Sequence, residues 1–321
     1  MKNYLFIIFS LFASSLFAQD NNDKKIFLDS LNQETTEESY KYYRIIKDYA
    51  LEKDKYEIVD YYLNNHIKHQ GFSHSKSGRL KIGQHKEFYE SGNLKSVTNY
   101  NNENNNPTGN YFSLYENGKK EIDGEYTQIT KDNLNKESVI KIISYWDENE
   151  NQKIVEGNGF MIERGEFENS RGEINGGFKD GIWKGIDLRY KIQFVEKYEL
   201  GKFMGGVSRD ALNIEFGYLE INKPPEFIGG MHAFGMYIAH NYKTPSIQKS
   251  IKGKIFLGFT IGVGGEIEDI KIIQSLETDL DTEAIRLIKT TSNLWTPGEY
   301  RGIKQKIKFS LPINLNFQND D

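Results

Sequence analysis

Four stretches of the chain can be laid over one another: YYLNNHIKHQG at 61–71, FYESGNLKSVT at 88–98, LYENGKKEIDG at 114–124, and YWDENENQKIVEG at 145–157 with two extra residues. Each opens on two aromatic or apolar residues, turns on Asn or Gly, and runs on as a strand carrying basic residues. The turn residues Asn65, Gly92 and Gly118 stand about 27 and 26 positions apart, a period in the range of repeat architectures. A lone hairpin is marginal in water, so the copies are expected to stack into one extended antiparallel sheet whose core is built between neighbours. GGFKDGIWKG at 176–185 continues the pattern, and NNENNNP at 101–107 reads as a loop between hairpins.

Composition narrows the function classes. The 321 residues suffice for two domains, and 37% hydrophobic with 27% charged residues describes globular material. A net charge of -5 supplies no basic field, so no nucleic-acid partner is expected. Cysteine is absent, which removes disulfides and thiolate chemistry. Twenty Tyr and twenty Phe read first as cross-strand packing on the repeated sheet, with a peptide- or glycan-binding aromatic face as the alternative.

The compartment is read from MKNYLFIIFSLFASSLFAQD, where Lys2 precedes an uncharged run from Tyr4 to Ala18 that ends in small residues. This is the pattern of a secretory signal peptide over 1–18. As a helix the run spans about 22 Å, short of the ~30 Å bilayer core, so a membrane anchor is expected only if the segment stays uncleaved. Export of the mature chain follows. Residues 19–38 read as a mobile leader or one weak helix, 39–205 as the hairpin repeats, 206–223 as a linker and 318–321 as a tail.

Near Glu220 the character changes, the double proline of LEINKPPEF stiffening the join. Beyond it the order is helix, strand, strand, helix, strand. GGMHAFGMYIAHNY sets Met231, Phe234 and Ile238 at helical spacing, and KIFLGFTI alternates Ile255, Leu257, Phe259 and Ile261 on one face. GVGG at 262–265 provides the hairpin turn, and the next strand places Ile270 and Ile272 on one face. DLDTEAIRLIKTT opens a helix at Asp279 or Asp281 as N-cap, with Glu283 in its first turn and Leu280, Ala284, Leu287 and Ile288 along its apolar side. The last strand alternates from Ile307 through Phe309, Leu311, Ile313 and Leu315 to Phe317. Pro312 has no N–H for a ladder, which suggests an edge or a bulge. Fourteen residues from Lys304 would extend about 46 Å, so part of the strand is expected to overhang its partner. Lys304, Lys306 and Lys308 fall on the face away from the core, where lysines commonly guard an exposed edge.

Two resemblances follow from these residues. The repeated hairpins resemble MORN-variant repeats of the kind found in bacterial antitoxin-type proteins, which implies an interaction scaffold at most. PPEFIGGMHAF, NYKTPSIQKSIKGKIFLGFTIGVGGEIEDIKIIQS, LDTEAIRLIKT, WTPG and IKFSLPINL together resemble the TonB C-terminal domain over about 224–317. That resemblance implies an α+β fold, two helices on a three-stranded antiparallel sheet, behind the extended hairpin sheet. It implies a non-enzymatic periplasmic protein that binds the TonB box of an outer-membrane receptor, or a related periplasmic partner, by β-strand addition to the last strand. The residues this assigns to partner binding are Lys304, Lys306, Ile307, Lys308, Phe309, Ser310 and Leu311, with Tyr242 and Pro245 after the first helix. Two departures stand out. NYKTP has Thr244 before Pro245 where the family carries a Tyr-Pro pair, and neither a retained inner-membrane helix nor a proline-rich spacer for energy transduction is evident, with six prolines in the chain. The alternative is a structural module that self-associates through the same edge, as a homodimer, with the repeats as a protein- or glycan-binding scaffold.

No catalytic constellation competes with this reading. His66 and His69, three apart on a strand, point to opposite faces, so no shared metal ion is expected among His66, His69, His74 and His85. His232 and His240 read as solvated helix positions. GVGGEIED lacks the third glycine of a nucleotide-binding loop and precedes a strand. No cofactor is expected.

Overall fold

The computed structural model describes residues 22–30, 32–130, 136–243, 245 and 251–317. The expected signal peptide, the first residues of the leader, Thr244 and the tail lie outside the described residues. The chain divides into two compact units, Met1–Gly159 with Gly176–Phe178, and Phe160–Asn175 with Lys179–Asp321. Sixteen strands follow one another in chain order as an antiparallel sheet, and a smaller α+β part comes after them.

The first unit holds β1 (Lys24–Leu28), β2 (Tyr42–Ile46), β3 (Tyr56–Tyr62), β4 (Ile67–Ser73), β5 (Lys81–Phe88), β6 (Leu94–Tyr100), β7 (Pro107–Leu114), β8 (Lys120–Thr130), β9 (Lys136–Trp146) and β10 (Gln152–Val155). Four of its hairpin turns share one geometry. Tyr62 N–H donates to His66 O and Asn65 N–H to Tyr62 O; the same two bonds recur at Tyr89, Asn93 and Gly92, at Tyr115, Lys119 and Gly118, and at Asp147, Asn151 and Glu150. The fourth residue of each turn is left-handed, with φ of 66°, 90°, 80° and 64° for Asn65, Gly92, Gly118 and Glu150, which is why Asn and Gly recur there.

The aromatic residue ahead of each turn sets the repeat length. Tyr62 OH donates to Phe88 O (2.8 Å), Tyr89 OH to Leu114 O (2.8 Å) and Tyr115 OH to Trp146 O (2.7 Å). Each hydroxyl thus reaches the carbonyl just before or at the next turn, which requires two intervening strands. Burial pushes the Tyr89 hydroxyl up to about 12, so it stays a donor. Asn64 and Asn93 add parallel side-chain bonds to Glu90 O and Glu116 O.

Residues 24–28, expected as leader, are instead strand β1, paired in register with β2. Leu28 is buried and Ile26 packs against Ile46, Tyr56 and Ile58, so the short apolar patch has a sheet face to cover. The expected linker also departs from expectation. After β11 (Asn158–Arg164), β12 (Glu168–Asn175), β13 (Phe178–Asp187) and β14 (Ile192–Glu199), β15 (Lys202–Arg209) runs past 205 and β16 (Glu215–Tyr218) follows. Their turn repeats the same bonds, Asp210 N–H to Ile214 O and Asn213 N–H to Asp210 O, with Asn213 at φ 66°. Asp210 stands as Asp147 does in the fourth turn, but Ser208-Arg209 replace the leading Tyr145-Trp146, which hid this hairpin from the sequence pattern. Large side chains in these strands seat on glycines of the neighbouring strand. A Cβ at Gly172 would lie 2.5 Å from the Trp183 ring, and Phe194 and Tyr218 cover Gly185 and Gly206 likewise.

The second unit continues with β17 (Asn222–Lys223), β18 (Glu226–Phe227), α1 (Gly230–Asn241), β19 (Ile251–Ile261), β20 (Ile267–Gln274), α2 (Thr278–Thr290), β21 (Trp295–Thr296), β22 (Gly298–Tyr300), β23 (Ile303–Gln305) and β24 (Ile307–Phe317). The sheet order β20-β19-β24 gives the three strands expected, and both helices are present. Ile255, Leu257, Phe259 and Ile261 are buried as their alternation predicts, against Leu280, Ala284 and Ile288 of α2 and Phe234 of α1. Trp295 sits at the centre, its ring 5.0 Å from Phe234, 5.3 Å from Phe227 and 5.5 Å from Phe309. Two details differ from expectation. Met231 is exposed, because α1 buries only Phe234 fully. The N-cap of α2 is Glu277, whose carboxylate accepts from Asp279 N and Leu280 N, so Glu283 falls beyond the first turn.

Candidate functional site

The closing residues form two strands in two sheets. Tyr300 pairs with Ile303 across Arg301 and Gly302, both left-handed (φ 50° and 77°), which is the two-residue turn of a tight hairpin. β23 therefore pairs with β22, and only Lys306 separates it from β24. Lys304 belongs to β23, opposite Glu299, and not to the strand that carries the other candidates. The expected overhang is absent. β24 and β19 pair residue for residue from Ile307↔Ile261 to Phe317↔Ile251 with no slip, because Lys304 and Gln305, the first two residues of the supposed long strand, belong to β23 in the second sheet.

β24 is the outermost strand of its sheet, and its other side meets no strand among the described residues. Its side chains alternate as predicted. Ile307, Phe309 and Leu311 turn inward, Phe309 lying 5.5 Å ring to ring from Phe259, while Lys308, Ser310, Pro312 and Asn314 are exposed. The inward residues therefore offer only main chain to anything beside the strand. Lys306 reaches back across the sheet, its Nζ donating to Glu268 Oε2 (2.6 Å) and Oε1 (3.0 Å), and that contact holds its ammonium above the usual lysine range.

Tyr242 and Pro245 follow the end of α1, Pro245 being half-buried. Tyr242 caps α1 with its N–H on Ile238 O and packs, half-buried, on the cluster that includes Phe309 and Leu311. Burial, helped by Glu283 and Asp281, pushes its hydroxyl up to about 12. Glu283 fixes this corner by accepting Lys243 N–H (2.7 Å) and a fork from Arg286, whose Nη2 also donates to Asn241 O (2.9 Å). The Arg286 contact, outweighing burial, lowers the Glu283 carboxyl below its ordinary range.

The first unit contains an arrangement the sequence did not suggest. His69 Nε2 and His85 Nδ1 are 2.8 Å apart and both rings are buried. Asp60 lies 3.5 Å from His69 Nδ1 and accepts a fork from Arg44, and His85 Nε2 lies 2.9 Å from Phe72 O. Burial would raise the Asp60 carboxyl, but Arg44 and His69 outweigh it and bring it to about 2. Burial and the neighbouring His69 lower His85 to about 4. Among the described residues no three His, Cys, Asp or Glu converge as a metal site. His66 serves a turn instead, its Nδ1 2.7 Å from Glu90 O.

Two helices on a three-stranded antiparallel sheet with an open terminal edge define the class of the C-terminal part. Residues 240–317, about a quarter of the chain, match the family model of the Gram-negative bacterial TonB protein C-terminal. The match begins in the last turn of α1 and includes none of the hairpin strands. No curated protein and no solved structure matches the chain. The domain points to a TonB-like role in transport at the cell envelope, in a family whose C-terminal domains interact with outer-membrane proteins. No helix among the described residues is long and apolar enough to cross a membrane.

Proposed function

We propose that the chain is an exported, non-enzymatic binding protein of the cell envelope whose C-terminal domain takes up an extended segment of an outer-membrane receptor or a periplasmic partner as an added strand beside β24. The observation that carries this reading is the open side of β24 in a sheet whose order ends on it. Five or six added main-chain hydrogen bonds at ~0.5 to 1.5 kcal/mol each, less the entropy of ordering the segment, correspond to micromolar affinity. The exposed Lys308, Ser310 and Asn314 alternate along the strand and would set side-chain preference, and Pro312 would leave one position without a donor.

The test is a titration of the whole chain with synthetic ten-residue extended peptides, read by amide chemical shifts. Shifts and new exchange protection centred on Ile307–Leu311 are expected. Changes confined to residues away from 303–317 would overturn the docking site. Concentration-dependent dimerisation without any response to peptide would assign the same edge to self-association.

A further inference from the structure

The docking reading leaves the hairpin strands without a role, and the side chain of Arg301 supplies one. Arg301 occupies the first position of the β22–β23 turn, is 2% exposed, and holds a left-handed backbone that L-residues rarely adopt. A buried guanidinium is tolerated only where partners replace its water. Here they come from successive hairpin strands of the same compact unit. Glu168 of β12 accepts from Nη1 at 2.8 Å, Glu196 of β14 accepts from Nε at 2.9 Å, and the Phe194 ring lies 3.6 Å beneath the guanidinium.

The backbone of the same residue is held too. Ser208 of β15 donates its hydroxyl to Arg301 O at 2.7 Å, and Arg301 N–H donates to Ile221 O at 2.8 Å. The next-door Tyr300 donates to Asp187 of β13 at 2.8 Å, and Asp187 is itself paired with Arg189. Glu196, also 2% exposed, is braced by Tyr218 OH at 2.7 Å and Tyr198 OH at 2.8 Å. Five strands thus contribute to one socket, in which Arg301 is the cation that compensates Glu196, as Arg189 compensates Asp187. A turn needing only to reverse the chain would be satisfied by Asn-Gly with no such partners.

We propose that strands β12–β16 are the seat of the docking edge: by gripping Arg301 they fix β23, and through the single residue Lys306 they present the start of β24 preformed to an incoming segment. Arg301 is a positioning residue in this scheme, and the scheme rests on the docking reading above. The turn is drawn into the hairpin face by charge pairing, so the edge and its seat order together.

Amide hydrogen exchange on the whole chain tests this without any peptide. Arg301→Gln is expected to speed exchange at least tenfold in Ile303–Phe309 and in β14–β16 together, with β2–β9 and β20 unchanged. Arg301→Lys, which restores one charged contact to Glu196, is expected to recover part of that protection. Should Arg301→Gln fail to fold, Glu168→Gln removes the outer carboxylate alone and is expected to accelerate the same two regions severalfold. Acceleration limited to Glu299–Ile303, or equal behaviour of the Lys and Gln variants, would overturn the proposal. Because no peptide takes part, that result is separable from a failed titration, which would refute docking itself.

Discussion

The paired histidines show how a single proton can matter at the residue scale. Each ring nitrogen of His85 already has a partner, Nδ1 2.8 Å from His69 Nε2 and Nε2 2.9 Å from Phe72 O, and a proton that charges this buried ring is taken up without water around it. His85 has its folded value lowered from 6.5 to about 4, so the unfolded chain binds that proton first as pH falls. The stabilisation is present above pH 6.5 and is lost between 6.5 and 4; Asp60 extends the loss from 3.8 toward 2. The expected slope of unfolding free energy between pH 6.5 and 4 approaches one proton, about 1.4 kcal/mol per pH unit. Urea melts of wild type and His85→Gln across that range check it, the variant being expected to lose most of the slope. None of this was legible in the sequence, because the two rings meet only through a bulged register between β4 and β5. The opposite-face argument for His66 and His69 agrees with their separate roles, yet it looked at the wrong pair.

Elements were read best where a pattern repeats locally. The alternation in β19 and β24 and the apolar face of α2 needed nothing beyond their own residues, and the Asn or Gly turns marked the hairpins of the first unit. Strand β1 was missed because Lys24 and Lys25 made a polar stretch of what pairs along β2, and the β15–β16 hairpin because Ser208-Arg209 stand where an aromatic pair was sought. The tyrosine ladder explains why the aromatic matters in the other copies. Each phenol satisfies a carbonyl that the turn geometry leaves over, so Tyr89→Phe and Tyr115→Phe should each lower the stability of the first unit by about 1 kcal/mol. In a repeat array whose terms are mostly nearest-neighbour, the double variant should come close to the sum. Thermal melts followed on the tyrosine signal would measure both. A double variant no weaker than either single one would mean the bonds act as one unit.

At the scale of the whole molecule, the boundary suggested by composition and the boundary made by packing are different. The double proline near Glu220 marks where the TonB-type segment begins to differ in composition, but the second compact unit starts at Phe160 and takes in the last hairpin strands. Within that second unit lies the socket. Glu196 and Glu168 lie 105 and 133 positions before the arginine they bind, and Tyr300-Arg301-Gly302 read in isolation is only a turn. A fragment of residues 220–321 therefore carries the family match and both helices but leaves Arg301 without its carboxylates and Ser208. Hydrogen bonds to a charged group contribute about 1.5 to 3 kcal/mol each, so this fragment should be less stable than residues 160–321 by on the order of 3 kcal/mol. Urea unfolding of the two fragments, followed at Trp295 fluorescence with Trp183→Phe in the longer one, is the measurement. Equal midpoints would mean that the small domain carries its own stability and that the last hairpin strands accompany it without supporting it.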